Sequence, residues 1–248
     1  MNNCSWKSFK FFIIASVIFS SSAPALSRNN IPASDRSREA IERVRPGLEE
    51  ELEKRGLNPG SAIYIRIFKE EKILEIWLKK EESFQLFRGY DICTYGNGGL
   101  GPKTAQGDGK APEGFYYVTP IRLNPLSRFH LSFNLGYPNR YDRIHGRTGG
   151  ALMVHGACVS IGCYAMTDES IEEIYALADA ALRNGQPFFR VHIFPFRMTA
   201  EKMKKHAGSK WYSFWKNLRQ GYDFFEEKGR IAPNVEVENG RYVFDMPG

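Results

Sequence analysis

The sequence predicts one mainly β domain with flanking helices and a mostly helical C-terminal extension. Three observations carry this. The apolar runs 62–68, 73–78 and 84–87 are separated only by the charged segments 69–72 and 79–82, which is the pattern of adjacent antiparallel strands. A second apolar run, Ala151-Leu-Met-Val154, leads into a turn-forming stretch at 155–166 and then into residues with helical spacing. From Thr199 onward the pattern turns helical and aromatic, with Trp211, Tyr212, Phe214, Trp215, Tyr222, Phe224 and Phe225. At 248 residues, 42% of them hydrophobic, the chain can fill one substantial core.

Taken in order, the first stretch reads as a leader. Lys7 and Lys10 precede the apolar run 11–19, and small residues reach Ala23-Pro-Ala25. A charged start, a short apolar run and an A-x-A ending predict a secretory signal peptide over 1–25. The run is about half of the roughly 20 apolar residues that a membrane-spanning helix needs. Losing Lys7 and Lys10 with the leader lowers the formal charge from +6 to +4. So mild a balance, without basic runs interleaved with stacking aromatics, gives no case for nucleic acid and suits an anionic polymer or carboxylate-rich substrate. Residues 26–57 are expected to be a loose polar tether as far as Arg38, then a short lead helix. Pro46 stands at its first turn, Leu48 and Leu52 on one face, and Gly56 at its stop.

The domain proper is expected over 58–198. Ile63, Ile65 and Ile67 share one face of the first strand at period two. In the glycine-rich loop 95–104, Gly96, Gly98 and Gly101 have the G-x-G-x-x-G spacing and Lys103-Thr104 resembles a phosphate-loop ending. Pro102, Gly107, Gly109 and Pro112 follow where a phosphate-binding helix would have to start, so nucleotide binding is set aside and a broad surface turn is expected. Runs 115–118 and 129–133 read as further strands, and Arg122, Arg128, Arg140, Arg143 and Arg147 between and beyond them are candidates to receive substrate carboxylates. Ile171, Ile174, Tyr175, Ala178 and Leu182 keep helical spacing, with Asp168 and Glu169 at the first turn and Gly185-Gln-Pro187 as the end. Run 188–194 is short and aromatic enough to be a buried strand. The extension, 199–248, is read as a packing surface against the main domain.

Removal of the leader takes Cys4 and leaves Cys93, Cys158 and Cys163, an odd number in a compartment that permits disulfides. A Cys93–Cys158 bridge leaves Cys163 free. A Cys158–Cys163 bridge, a zinc site built on His155 and both cysteines, and inert buried thiols are the alternatives. The choice turns on Cα separations that sequence does not fix.

The stretch His155-Gly-Ala-Cys-Val-Ser-Ile-Gly-Cys-Tyr-Ala-Met166 is where chemistry concentrates. Cys163 is the candidate nucleophile and His155, at a strand end, the candidate base. Only a few per cent of an ordinary thiol is ionised at neutral pH, and a nearby imidazole or helix N-terminus raises that fraction. Amides around Gly162 and Cys163 are candidate oxyanion donors, and Ser160 is a candidate to orient the imidazole or a substrate oxygen.

At these residues the sequence resembles the L,D-transpeptidase (YkuD-type) family, whose signature is a histidine-glycine pair followed by S-x-G-C. His155-Gly156 and Ser160-Ile-Gly-Cys163 match it. The similarity is closer still to the YafK-like branch, which the segments 65–71, 99–103, 138–143 and 195–198 also resemble. The resemblance implies a β-sandwich-like catalytic domain in the periplasm of a diderm bacterium, acting on peptidoglycan with no metal or organic cofactor. Cys163 would form a thioester at a carbonyl beside meso-diaminopimelate and His155 would move the protons; Arg143 and Tyr164 are expected to contact substrate. The branch is associated with amidase activity that releases a murein-bound outer-membrane lipoprotein. Two features depart from the wider family. Ala165 stands where an arginine is usual, two positions after the cysteine, which argues against assuming crosslinking. His145-Gly146 also has the longer spacing to S-x-G-C that many members show, so His145 competes with His155 as base; the strand-end position favours His155.

Overall fold

The computed structural model describes Met1 and residues 31–97 and 99–247, so the leader beyond Met1 lies outside the described residues. The first helix, α1 (Asp35–Lys54), starts well before Pro46. Ser34 caps it: its hydroxyl accepts the Ser37 N–H while the Ser37 hydroxyl reaches back to the cap backbone, a reciprocal arrangement that satisfies two donors the first turn would leave orphaned. The helix therefore takes in residues 35–38 of the expected tether as well as 39–45, while 31–34 are non-helical and 26–30 lie outside the described residues. Pro46 sits in the interior of α1 on its exposed side, where the carbonyl left without a proline N–H partner can be hydrated.

The strands follow as β1 (Ile63–Phe68), β2 (Ile73–Lys80), β3 (Ser83–Asp91), β4 (Gly114–Val118), β5 (Leu123–Asn124) and β6 (Ser132–Asn134). After α2 (Arg140–Ile144) come β7 (Met153–His155), β8 (Tyr164–Ala165), α3 (Asp168–Arg183) and β9 (Phe189–Phe194). Helices α4 (Ala200–Lys205) and α5 (Tyr212–Glu227) and strands β10 (Asn234–Glu238) and β11 (Arg241–Asp245) complete the chain. One sheet has the order β3-β2-β1-β9-β4, with β1 and β9 parallel; a second has the order β5-β6-β7-β8, with β7 and β8 parallel. The fold is thus mixed sheets with a few helices around them. The meander of β1 to β3 matches the sequence expectation, whereas Phe129 and His130 precede their strand, His130 with a left-handed φ of 65°.

The two faces of β1 explain the layering. Ile63, Ile65 and Ile67 enter one large core with Leu48, Leu52, Ile171, Ile174 and Tyr175, which also takes Val154 and Tyr164 from the second sheet. The opposite face, Tyr64, Arg66 and Phe68, is covered by the C-terminal extension. Arg66, 1% exposed, donates to Glu226 at 2.6 Å and lies over the rings of Tyr222 and Phe225, so the extension supplies both the counter-charge and the aromatic faces that a buried guanidinium needs. The extension is not wholly helical: β10 and β11 form a hairpin closed by Asn239-Gly240, both at positive φ, the turn chemistry that two-residue hairpins favour.

The glycine-rich loop is more than a surface turn. Gly101, Pro102 and Lys103 are buried. Lys69, fully buried, donates to Glu113 at 3.0 Å and to the Gly101 carbonyl at 2.8 Å, and Trp215 donates to Glu113 at 2.8 Å. That network fixes the loop as one wall of the cleft described next.

Candidate active site

Strands β7 and β8 set the catalytic stretch. Their parallel register pairs Val154 with Tyr164 and His155 with Ala165. Alternation then puts Cys163, two residues before Ala165, on the same sheet face as His155, and such diagonal neighbours are within reach of ring-sized side chains. Both residues line one cleft of about 370 Å³, together with Lys103, Arg128, Phe129 and Ser160.

Cys163 is the free thiol among the described residues, because Cys93 and Cys158 are bridged with Cα atoms 5.2 Å apart. The bridge takes Cys158 out of the zinc and Cys158–Cys163 readings and ties the middle of the 156–162 loop to the segment before Thr94. The Met153 N–H donates to Cys163 Sγ at 3.4 Å, and the thiol points to the Ala151 carbonyl at 3.7 Å. Burial pushes the Cys163 thiol above its ordinary value, against the opposing pull of the Met153 amide and the Lys103 ammonium. Burial thus favours the neutral thiol, and ionisation has to be assisted by the base.

His155 is 2% exposed and stacks on Phe129 with ring centroids 4.7 Å apart. Its Nδ1 lies 2.7 Å from the Gly156 carbonyl. A carbonyl only accepts, so Nδ1 carries the proton and Nε2 keeps the lone pair. Burial lowers the His155 pKa more than the Gly156 carbonyl raises it. The imidazole is therefore neutral at pH 7 and ready to accept a proton.

Ser160 braces the turn instead of the imidazole. Its hydroxyl donates to the Cys163 carbonyl at 2.7 Å and accepts the Gly162 N–H at 3.0 Å. That leaves the Gly162 amide engaged, so it is not the free oxyanion donor the sequence suggested. Gly162 has φ of 154°, and a Cβ there would stand 3.2 Å from the Lys110 carbonyl, so the turn needs glycine. Gly156 is fixed by close approach: a Cβ would meet Asp168 Oδ1 at 2.4 Å, the same oxygen that accepts the Ala157 N–H at 2.8 Å.

The remaining expected contacts fall elsewhere. Tyr164 is fully buried with its hydroxyl donating to the Pro112 carbonyl at 2.7 Å, so it supports β8 from below and is not open to substrate. Arg143 is exposed outside the cleft and donates to the Pro138 carbonyl. Arg147 is buried and paired with Asp142 at 2.8 Å. His145 is exposed, near the hairpin, with Nε2 2.9 Å from the Gly240 carbonyl. Among the five arginines only Arg128 lines the cleft. Sequence reasoning missed Lys103 and Phe129: the first was read as part of a phosphate-loop decoy, the second as a strand residue.

A free thiol and a neutral imidazole on one sheet face, with the loop between them pinned, define a cysteine-type catalytic domain. The family model for the YkuD L,D-transpeptidase catalytic domain matches residues 62–210, and the chain belongs to that family, whose members act on peptidoglycan. It is 53% identical over 188 residues to YafK of Escherichia coli K12, a protein assigned to the L,D-transpeptidases by inference, covering 76% of each chain; the O157:H7 protein matches equally. Among solved structures, a single-residue variant of the helical cell shape determining protein Pgp2 from Campylobacter jejuni aligns at a TM-score of 0.44 with 18% identity. That alignment covers 80% of this chain and 65% of the other.

Proposed function

We propose that the protein is a periplasmic cysteine amidase of peptidoglycan that hydrolyses the bond between meso-diaminopimelate and the lysine of a covalently attached outer-membrane lipoprotein. The observation that supports the chemistry is the tautomer of His155, whose Nδ1 is held by the Gly156 carbonyl so that Nε2 keeps the lone pair, in a residue that lines the same cleft as the Cys163 thiol. His155 Nε2 takes the thiol proton as Sγ attacks the diaminopimelate carbonyl. The Cys163 N–H is the amide assigned to the oxyanion. The imidazolium then gives its proton to the departing lysine amine, leaving a thioester; water, deprotonated by the same nitrogen, attacks it and releases the carboxylate and the thiol. Because both groups start neutral, proton transfer accompanies attack.

Hydrolysis is favoured over crosslinking by Ala165, which is fully buried in β8 and supplies no guanidinium to hold an acceptor strand. The leader over 1–25, cut after Ala25, would deliver the protein to the periplasm. The test is digestion of sacculi carrying bound lipoprotein with native protein and with Cys163→Ala, followed by mass spectrometry of the muropeptides. Loss of the lysine-bearing remnant with native protein alone is the expected result. New diaminopimelate-to-diaminopimelate crosslinks would make the protein a transpeptidase instead, and no change with either protein would contradict catalysis on this substrate.

A further inference from the structure

The charged side chains that line the Cys163 cleft are both cations, one of them paired behind the lining with Asp108. Lys103 and Arg128 line the cleft from two different loops, and no acidic residue lines it among the described residues. Lys103 is 5% exposed, which makes it part of a built wall and not a solvated surface charge. Its ammonium donates to Asp108 Oδ1 at 2.7 Å and to the Ala105 carbonyl at 2.9 Å. An ammonium has three donors, so one is left for a ligand. Asp108 is in turn held by the Thr104, Ala105 and Lys110 amides at 2.8, 3.0 and 3.0 Å, and the Thr148 amide donates to the Thr104 carbonyl at 3.1 Å, so the wall is rigid. Arg128 is exposed on the adjoining loop and makes no ion pair among the described residues. A guanidinium without a partner beside a reactive thiol has the fork that binds a carboxylate through two parallel hydrogen bonds.

We propose that Arg128, with Lys103 behind it, is the specificity site for a free carboxylate on the substrate, so that the enzyme takes diaminopimelate as the acid and discriminates against its carboxamide. The inference deepens the amidase reading and rests on it for the identity of the substrate. Diaminopimelate has two carboxyl groups; with one in the scissile amide, the other is the anion that Arg128 would hold. Hydrogen bonds to a charged group contribute about 1.5–3 kcal/mol, or roughly ten- to a hundredfold in affinity. A carboxamide keeps the shape, loses the charge and brings N–H donors to a site built of donors.

The experiment uses two synthetic stem peptides with diaminopimelate amide-linked to lysine, one with the remaining carboxyl free and one with it as the carboxamide. For native protein kcat/KM is expected to favour the acid at least about tenfold. Arg128→Gln should remove that preference by raising KM for the acid far more than for the carboxamide, and Arg128→Lys should restore part of it. Equal use of both peptides by native protein, or an equal loss on both in Arg128→Gln, would overturn the proposal. Calorimetric binding to Cys163→Ala separates this outcome from failure of the amidase reading. If native protein cleaves neither peptide but Cys163→Ala binds the acid more tightly and a Cys163→Ala, Arg128→Gln double variant does not, the carboxylate site stands and the reaction was misassigned. If Cys163→Ala shows no preference, the carboxylate site is wrong whatever the reaction.

Discussion

His145 and His155 make nearly the same local contacts and do entirely different things. Each has one ring nitrogen on a backbone carbonyl, His145 Nε2 on Gly240 at 2.9 Å and His155 Nδ1 on Gly156 at 2.7 Å. Each ring lies against an aromatic, Tyr141 at 4.2 Å and Phe129 at 4.7 Å. His145 is exposed and latches the turn of the C-terminal hairpin onto α2; His155 is buried in β7, on the face that carries the free thiol. The comparison teaches that a carbonyl and a ring do not make a base. What matters is which nitrogen the carbonyl occupies and what faces the other one.

The largest effect expected from this difference is kinetic. His155→Ala should lower kcat by about 10²- to 10⁴-fold, the usual loss when a general base is removed, while His145→Ala should stay within about twofold, as befits a surface position away from the chemistry. Comparable losses in the two variants would break the comparison.

The pH profile sharpens it. His155 must be neutral to act, and burial holds its pKa below the ordinary 6.5. The acid limb of kcat/KM should therefore lie below pH 6.5, with full activity at neutrality. Direct alkylation of Cys163 should accelerate only above the ordinary thiol value, since burial raises that group. An acid limb above pH 7, or alkylation already fast at pH 7, would indicate a preformed thiolate–imidazolium pair.

Ser160→Ala should have a smaller effect. It removes the two hydrogen bonds that close the turn between Ser160 and Cys163, each contributing about 1 kcal/mol, and a roughly tenfold fall in kcat with little change in KM is expected. A change in KM alone would mean that the hydroxyl touches substrate. The smallest effect is that of His145→Ala on stability: loss of one hydrogen bond, about 1 kcal/mol, should lower the melting temperature by about 2–4 °C, and no shift at all would remove the latch from the account.

Much of this was legible in the sequence, for physical reasons that differ by element. The strand, turn and helix around 155–166 were readable because periodicity changes from strand to helix across a cluster of reactive side chains. The meander was readable because its turns are charged. The extent of α1 was missed because Pro46 looked like a start signal, although Ser34 and Ser37 already form the reciprocal cap. The terminal hairpin had its signal in Asn239-Gly240 and was passed over amid the aromatics. The cleft's cations were only half legible: Arg128 was one of five candidate arginines that nothing in the sequence ranked, and Lys103 was not a candidate at all. Lys103 and Arg128 reach Cys163 from loops 60 and 35 residues upstream, and only the folded chain brings them together.

The most direct test of the central assignment is the intact mass of acid-quenched protein after mixing with a diaminopimelate–lysine stem peptide. A thioester adduct is predicted on native protein and on His145→Ala, and none on His155→Ala or Cys163→Ala. An adduct on His155→Ala together with its loss in His145→Ala would contradict the account.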